Sequence, residues 1–415
     1  MMTSSATLTN CDIESIHIPG STQSHGFVMV LSKSFGITAC SQNIIEYTGL
    51  DAANLIGKEI GELAALLRDK DLAQGLKSLI AYSAKQFEAK SAGRFQAVIN
   101  DQLFDISVSV DQEHYLLDFE PVISNITQDV QSMVGRSLSE ILSDKSLTRL
   151  LNNAAQQVRS IIGYDRVMIY KFHNDGHGEV IAEAKNDDLE TWMGLHYPAS
   201  DIPKPARELY KINQIRLIAD VYANTSPIIS VENTPLDLTN SHLRAVSPIH
   251  IQYLKNMGVA SSFSISIMNH DRLWGLIACH SYTPRIINVN ERESAKLVGQ
   301  VLSSAIVFRE QEEEQQQSAV YRQCIETITR YLLRNIAVED ALFNEECSML
   351  EVVESSGAVL YFENNLREVG KTPDSKFINQ LIDWLDTKIS EDGCYMTNKL
   401  SDDFPQALPY SNEVC

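Results

Sequence analysis

Charged and aromatic side chains that suit an acidic ligand are concentrated in two segments of the chain. The first, at 198–216, reads PASDIPKPARELYKINQIR and contains Asp201 and Arg216. The second, at 243–259, reads LRAVSPIHIQYLKNMGV and contains Arg244 and His250. Guanidinium groups match carboxylates in a fork geometry. The two segments therefore predict a site for a ligand with anionic arms and a group that favours a buried negative charge.

Each of these residues also has an ordinary interpretation. Asp201 precedes Pro203 and suits the N-cap of a helix as well as a ligand contact. An isolated arginine is usually a surface residue. Ser247 and Pro248 are typical of a helix start, and the helix they predict carries His250 on one face with three apolar or aromatic residues. That histidine suits either a core position or a ligand contact. Its companions on the face are Tyr253, Leu254 and Met257.

Two adjacent strands predict a polar face inside the same region. In SSFSISIM the serines Ser262, Ser264 and Ser266 alternate with apolar residues, so they share one side of the strand. Buried serines need polar partners. On the next strand Trp274, Leu276, Ala278 and His280 are predicted to share a face. We predict that a three-residue loop at 270–272, or a bulge of equal effect, pairs Ser262 with His280.

Composition excludes several classes of protein. The 415 residues include 54 acidic and 34 basic side chains, for a net charge of −20, which argues against a nucleic-acid surface. No apolar run reaches about 18 residues, and the first residues do not form a secretory signal. Seven irregularly spaced cysteines without CxxC are typical of a cytoplasmic protein with free thiols and no zinc site. No nucleotide-binding or hydrolase motif is present.

The order of predicted elements indicates an α+β fold in three modules. The first module covers 16–126 and the second 133–309. A long helix at about 291–334 has the wholly polar middle REQEEEQQQ, which favours a bridge between domains; a break into two helices at the glutamines is the alternative. The third module starts near 335. Its few predicted strands would leave unpaired sheet edges, which is typical of a truncated domain.

Five motifs in sequence order resemble the phytochromes, specifically the bacteriophytochromes. They are CDIESIHIPGSTQSHG, YDRVMIYKF, PASDIP, LRAVSPIHIQYLKNMGV and LWGLIACH. The resemblance implies a PAS domain at 16–126, a GAF domain at 133–309, a linker helix at 310–334 and the first part of a PHY domain at 335–415. It also implies that the N-terminal extension at 1–15 threads through a GAF loop as a figure-of-eight knot.

The resemblance implies a linear tetrapyrrole, or bilin, in the GAF pocket. Asp201 would lie beside the pyrrole nitrogens and His250 beside the pigment. Arg216 and Arg244 would bind the propionates with help from Ser262 and Ser264, and His280 would bind the ring D carbonyl. The remaining residues implied to line the pocket are Met168, Tyr170, Trp192, Tyr197, Ile202, Pro203, Tyr210 and Tyr253.

The implied attachment site is Cys11. Plant-like and cyanobacterial phytochromes carry their attachment cysteine immediately before the stacking histidine, where this chain has Ile249. The bacterial branch uses an N-terminal cysteine, and the implied chromophore is therefore biliverdin IXα, bound through a thioether. A random terminal cysteine would otherwise be a thiol in a disordered tail. Tyr197 stands where many relatives carry phenylalanine.

The implied function is a red/far-red photoreceptor that signals by bilin isomerisation to a C-terminal output module. That module would be a sensor histidine kinase, or alternatively a diguanylate cyclase, and a homodimer through the GAF and linker helices is expected. The chain itself is expected to have no catalysis, nucleic-acid partner or membrane contact. It is also expected to complete the far-red-absorbing state poorly, because the PHY "tongue" hairpin would follow residue 415. A PAS–GAF sensor of a cyclic nucleotide or haem is the competing interpretation.

Overall fold

The computed structural model describes residues 14–66, 70–85, 93–110, 113–123, 135, 146–231, 235–334, 336–343, 349–352, 355–388, 393–397 and 400–410. The chain divides into two compact units, Met1–Arg309 and Glu310–Cys415. Cys11 and the predicted junction between the first two modules lie outside the described residues.

An antiparallel seven-stranded sheet is the centre of the first module, and its strand order is β1-β11-β3-β2-β6-β5-β4, where β11 is Ser226–Ser230. Its strands from the first module are Ser21–Thr22 (β1), Phe27–Ser32 (β2), Ile37–Ser41 (β3), Gly93–Ile99 (β4), Gln102–Val110 (β5) and His114–Pro121 (β6). Helices α1–α4 are Ile44–Thr48, Ala52–Leu55, Ile60–Leu66 and Lys70–Lys85. Apolar residues of α1–α4 and of one sheet face form its core.

One strand of this sheet comes from the second module. Strand β11, Ser226–Ser230, pairs with β1 on one side and with β3 on the other. A strand of one module joins the sheet of another through hydrogen bonds between segments that are far apart in the chain. No local sequence pattern therefore predicts it.

The second module contains a six-stranded antiparallel sheet in the order β10-β12-β13-β7-β8-β9. Its strands are Arg166–Phe172 (β7), Gly178–Lys185 (β8), His196–Tyr197 (β9), Ile215–Ile218 (β10), Ser261–Asn269 (β12) and Arg272–Ser281 (β13). Helices α5–α8 are Leu147–Ile162, Lys204–Ile212, Pro248–Asn256 and Val289–Leu332. Apolar residues of α5 and α8 pack on one sheet face, where Phe263, Ile265 and Ile267 point into the core.

The opposite face of that sheet carries the serines, and the register is as predicted. Ser262 pairs with His280, and Ser264 pairs with Ala278. The turn itself has two residues, since Asn269 pairs with Arg272, and a bulge between the Ile267 and Met268 pairs restores the register. The predicted bulge of equal effect, rather than the three-residue loop, is therefore correct.

The same bulge makes one prediction wrong. Trp274 lies in the core with Ile277 and Cys279, not on the face of Leu276, Ala278 and His280. One extra residue on β13 reverses the side of every residue before it.

The long helix α8 is continuous over 44 residues, so the predicted alternative of a break at the glutamines is wrong. Near its start the helix packs closely on the second sheet. A Cβ added at Gly299 would lie 2.6 Å from Cγ2 of Ile265, which explains the glycine at this position.

The second unit contains a two-stranded antiparallel sheet, as the sequence predicted. Its strands are Gly357–Phe362 (β14) and Asn365–Gly370 (β15). Its helices α9–α12 are Val338–Leu342, Met349–Val352, Ser375–Leu385 and Leu400–Asp403, and a 3-10 helix covers Pro405–Tyr410. Phe377, Phe404 and Ala407 form the centre of its small core.

The cysteines and the helices can be compared with two expectations from the composition, namely free thiols and no membrane-spanning segment. Cys40, Cys279 and Cys394 are free, as predicted, but Cys324 is disulfide-bonded. Among the described residues, no helix combines the length and the apolar character needed to cross a bilayer.

A buried ion pair connects the first sheet to the start of α8. Arg292 donates two hydrogen bonds of 2.7 Å to the two oxygens of Glu120, and both residues are buried. The guanidinium holds the pKa of Glu120 at about 2 despite the burial of the carboxylate. Removing one partner of such a pair leaves an uncompensated buried charge.

We expect Arg292→Ala to lower the free energy of unfolding by about 3–5 kcal/mol, measured by urea denaturation. Lys211→Ala is the control, because Lys211 forms an exposed pair with Glu208 at 2.8 Å and should change the stability by only about 0–1 kcal/mol. Equal effects of the two substitutions would contradict the prediction.

Candidate functional site

A cavity of about 840 Å³ lies on the serine-bearing face of the second sheet. Its size is in the range of small-molecule sites. All fifteen residues predicted from the sequence to contact a ligand line it, and they come from eight elements and their adjoining loops. They are Met168, Tyr170, Trp192, Tyr197, Asp201, Ile202, Pro203, Tyr210, Arg216, Arg244, His250, Tyr253, Ser262, Ser264 and His280.

Asp201 ends a short 3-10 helix, Ala199–Asp201, at the wall of the cavity. Helix α6 begins at Lys204 with Pro203 at its N-cap, so Asp201 does not cap it and that alternative is wrong. The Asp201 side chain instead accepts a hydrogen bond of 3.1 Å from the hydroxyl of Tyr253. A carboxylate is thereby available at the cavity wall.

Arg216 and Arg244, here called the arginine pair, are both buried or half-buried at the cavity. Arg216 donates to the backbone carbonyls of His242, Arg244 and Ala245. Arg244 donates to Leu238 and Thr239 carbonyls, at 3.4 and 2.9 Å. Burial lowers the pKa of both guanidinium groups, and their mutual repulsion adds to the effect at Arg216.

Within the described residues, neither member of the arginine pair forms a salt bridge. Two desolvated cations without carboxylate partners are unfavourable unless an anion binds. The isolated-surface interpretation of these arginines is therefore wrong, and the geometry favours an anionic ligand.

Two neutral histidines line the cavity. His250 lies on α7 with its ring stacked 6.0 Å from that of Tyr253, and its pKa is lowered to about 4 by burial and then by Arg216. His280, on β13, has its pKa lowered to about 3 by burial, His250 and Arg166. In the described part of the chain, Nδ1 of His280 is buried without a hydrogen-bond partner. His280 lines the cavity, so a bound ligand is a candidate partner for this buried atom.

Helix α7 carries its four predicted face residues, His250, Tyr253, Leu254 and Met257, to the cavity wall. Ser247 occupies the N-cap, as predicted, but its hydroxyl makes no capping bond. It donates instead to Glu14 at 2.7 Å, so the segment shortly after Cys11 is fixed at the cavity. Glu14 and Ile16 both line the cavity.

Further backbone bonds hold the N-terminal segment against the second module. Gln23 N donates to Leu243 O at 2.8 Å, and Leu238 N donates to His17 O at 2.8 Å. The knot that the resemblance implies for residues 1–15 falls almost wholly outside the described residues and stays a prediction.

The position of the Tyr170 ring depends on Gly178, the first residue of β8. A Cβ added at Gly178 would lie 1.9 Å from Cζ of the Tyr170 ring, so only glycine leaves room for this aromatic wall. The ring then contacts Tyr197 at a centroid distance of 6.0 Å.

Sequence reasoning missed a buried ion pair behind the aromatic wall. Arg166 bonds to Glu183, donates to Glu190 O at 2.7 Å and stacks 3.9 Å from the ring centroid of Trp192. Trp192 in turn lies edge-on to His280 at 5.9 Å. A charged residue at the start of the apolar strand RVMIYKF was the available signal, because a buried arginine needs a partner.

Arg207 was also missed. It donates to the carbonyls of Ile202, Gly176 and Ala199, at 2.6, 2.8 and 2.9 Å. These bonds attach the Asp201 segment to the β7–β8 hairpin. Nothing in the sequence distinguished this arginine from a solvent-exposed helix residue.

Models of known protein families match each of the three modules. The PAS fold model matches 11–122, the GAF domain model 146–306, and the phytochrome region model 321–415. The exact module boundaries predicted from the sequence remain predictions.

Relatives of known name are similar over most of the chain. Cyanobacterial phytochrome B of Nostoc is 34% identical over 96% of this chain, and the bacteriophytochrome of Pseudomonas aeruginosa is 37% identical over 74%. The chain spans about half the length of the curated relatives it matches, with 54% of the first and 41% of the second.

A solved structure covers nearly the whole chain. The photosensory core module of the Stigmatella aurantiaca phytochrome has a TM-score of 0.81 and 32% identity, and the match covers 98% of this chain and 81% of that one. Three modules in the right order, the fold and the sequence similarity agree, and the chain therefore belongs to the phytochrome family.

Proposed function

We propose that this chain is the light-sensing part of a red/far-red photoreceptor that binds biliverdin IXα in the cavity and attaches it to Cys11. The observation that carries the proposal is the cavity itself. Fifteen residues expected to contact a bilin line one space of about 840 Å³. Among the residues that the structure describes, its two arginines have no carboxylate partner and Nδ1 of His280 has no hydrogen-bond partner. The names of the relatives support the same function.

The residues present fit a flexible, conjugated dicarboxylic acid. The arginine pair would bind the two acid arms, and Ser262 and Ser264 are placed on the same face of β12 to donate further hydrogen bonds. The neutral ring of His280 would donate to, or accept from, a polar group at the far end.

Aromatic and apolar side chains supply the rest of the wall. Tyr170, Tyr197, Tyr210 and Met168 would pack against flat ring faces, while Asp201 would accept hydrogen bonds from ring N–H groups. Tyr210 has a weak contact of 3.4 Å with Ser264, so its hydroxyl position is only loosely fixed.

The chemistry supplied by the bound pigment is isomerisation of a methine bridge on absorption of light. The protein would hold the acid-bearing end of the pigment firmly, while the side chains around its other end could exchange their contacts with it. His280 and Tyr197 belong to that wall, and a change in their contacts would be the first signal in the protein. We further propose that an output module receives the signal.

Cys11 is the most suitable thiol for attachment. The thiolate is the reactive form, and burial raises the pKa of Cys40 to about 12 and that of Cys279 well above its usual value. Cys279 also lies in the core on the opposite face of the sheet from the cavity. Glu14 brings the segment that follows Cys11 to the cavity.

The helix α8 suits a dimer. Leu297 and Phe308 lie on its surface with 41% and 60% of their area exposed. Burial of such residues against a second copy would remove apolar surface from water. Light scattering of the chain and of a Phe308→Glu variant tests this proposal, which expects a dimer in the first case and a monomer in the second.

Production of the chain together with biliverdin tests the proposed function. We expect a coloured protein whose absorption changes on red illumination and whose colour survives denaturation. Zinc-induced fluorescence of the denatured band separates a covalent bilin from haem or a cyclic nucleotide, which give no such signal. Colourless protein would contradict the proposal.

A further inference from the structure

The loop at 241–245 carries Arg244 to the cavity and connects it to a residue of the first sheet. Asp118, in the middle of β6, is 2% exposed. One of its oxygens accepts from the hydroxyl of Ser241 at 2.7 Å, and the other accepts from the backbone N–H of His242 at 2.7 Å. The Ser241 hydroxyl also accepts from Leu243 N at 3.1 Å. Both carboxylate oxygens are thus used to fix one turn of this loop.

Arg216 contacts the same loop from its other side. It donates to the carbonyl of His242, whose N–H is held by Asp118, and to the carbonyls of Arg244 and Ala245. A third contact comes from the N-terminal segment, since Ala245 N donates to Ser21 O at 3.2 Å. The loop therefore lies between three segments and fixes both arginines relative to each other.

We propose that Asp118 is a positioning residue for the arginine pair, so that recognition of acid arms in the second module depends on a carboxylate of the first. The inference rests on the proposed function of the cavity. Two guanidinium groups bind two carboxylates well only when both are held near the productive geometry. Asp118 supplies this from outside the cavity, because it is absent from the cavity wall.

The alternative is a structural role, in which Asp118 only joins the two modules and does not position the arginine pair. A structural role would weaken binding of every ligand that fits the cavity. A positioning role for the arginine pair would weaken only ligands with free carboxylates.

The test compares biliverdin with biliverdin dimethyl ester, which keeps the ring system but lacks both carboxylates. Affinities are measured for the full chain by absorbance titration in a Cys11→Ser background, so that binding is reversible. Burial raises the pKa of Asp118 to about 7, so titration at about pH 8.5 keeps the carboxylate charged.

We expect Asp118→Ala to lower the affinity for biliverdin about tenfold, with the ester affinity changed by less than about twofold. Asp118→Asn keeps one acceptor and the same shape, and it should restore most of the affinity. The matched control is Asp105→Ala, since Asp105 is equally buried on the neighbouring strand and bonds to Arg94 and Gln96 rather than to the loop. It should leave the ratio of the two affinities unchanged.

Equal loss of both affinities in Asp118→Ala, or no loss of either, would overturn the inference. If Asp118→Ala does not fold by circular dichroism, Ser241→Ala removes one of the two bonds and carries the same comparison. Equal binding of acid and ester by the unchanged protein would instead overturn the role of the arginine pair, and this inference with it. No binding of either ligand would overturn the proposed function itself.

Discussion

A Cys11→Ser variant assembled with biliverdin is expected to lose all pigment in a denaturing gel while remaining coloured in solution. A serine hydroxyl is not ionised near neutral pH and does not form a thioether, whereas the noncovalent contacts of the cavity are unchanged. Zinc-induced fluorescence of the denatured band measures the covalent fraction, and absorbance of the native protein measures total binding.

Cys394→Ser is the matched control for this experiment. Cys394 is a free and exposed thiol in the second unit, so its accessibility tests whether exposure alone leads to attachment. We expect the control to keep the full fluorescent band. A fluorescent band from Cys11→Ser would place the attachment on another cysteine and would refute the assignment.

Replacement of Asp201 by alanine is expected to weaken the red absorption band of the assembled protein. A carboxylate within about 4–6 Å favours a positive charge on its neighbour and shifts a pKa by about 1–3 units. Loss of the Asp201 charge therefore lowers the apparent pKa of the bound pigment, and its deprotonated form appears at lower pH. Absorbance spectra between about pH 6 and pH 10 measure this shift.

Tyr253→Phe separates the charge of Asp201 from its hydrogen bond. The substitution removes the hydroxyl that donates to Asp201 at 3.1 Å and leaves the carboxylate in place. We expect the red band to persist in this variant. A spectrum of Asp201→Ala that is the same as that of the unchanged protein at every pH would contradict the role of the carboxylate.

The cavity wall was predictable in part because strand alternation and helix periodicity are local, while other wall residues, among them Met168, Tyr170 and Trp192, were implied only by the family resemblance. Ser262 and Ser264 share a side of β12 whatever the rest of the chain does, and Pro248 with Ser247 fixes where α7 begins. The register between β12 and β13 was also predictable, since only one register gathers the polar groups on one face. The sequence was consistent with two ways to produce this register, a three-residue loop or a bulge, and the structure contains the bulge.

Residues that act through a partner could not be predicted in this way. Asp118, Glu183 and Arg207 are ordinary charged residues until the chain brings Ser241, Arg166 and the Ala199–Asp201 segment beside them. Their contacts span 123, 17 and 8 residues of sequence. No periodicity or motif encodes a pairing between such positions.

The amino-acid sequence alone determined the element types and the order of the modules, because these follow from local patterns. Its motifs also carried the family resemblance, which implied many of the residues that line the cavity. Only the tertiary structure decided that β11 enters the first sheet, that Trp274 turns into the core, and that Asp118 reaches the loop of Arg244. These three features depend on which distant backbone and side-chain groups satisfy one another in the folded chain, and that is a property of the whole packing arrangement.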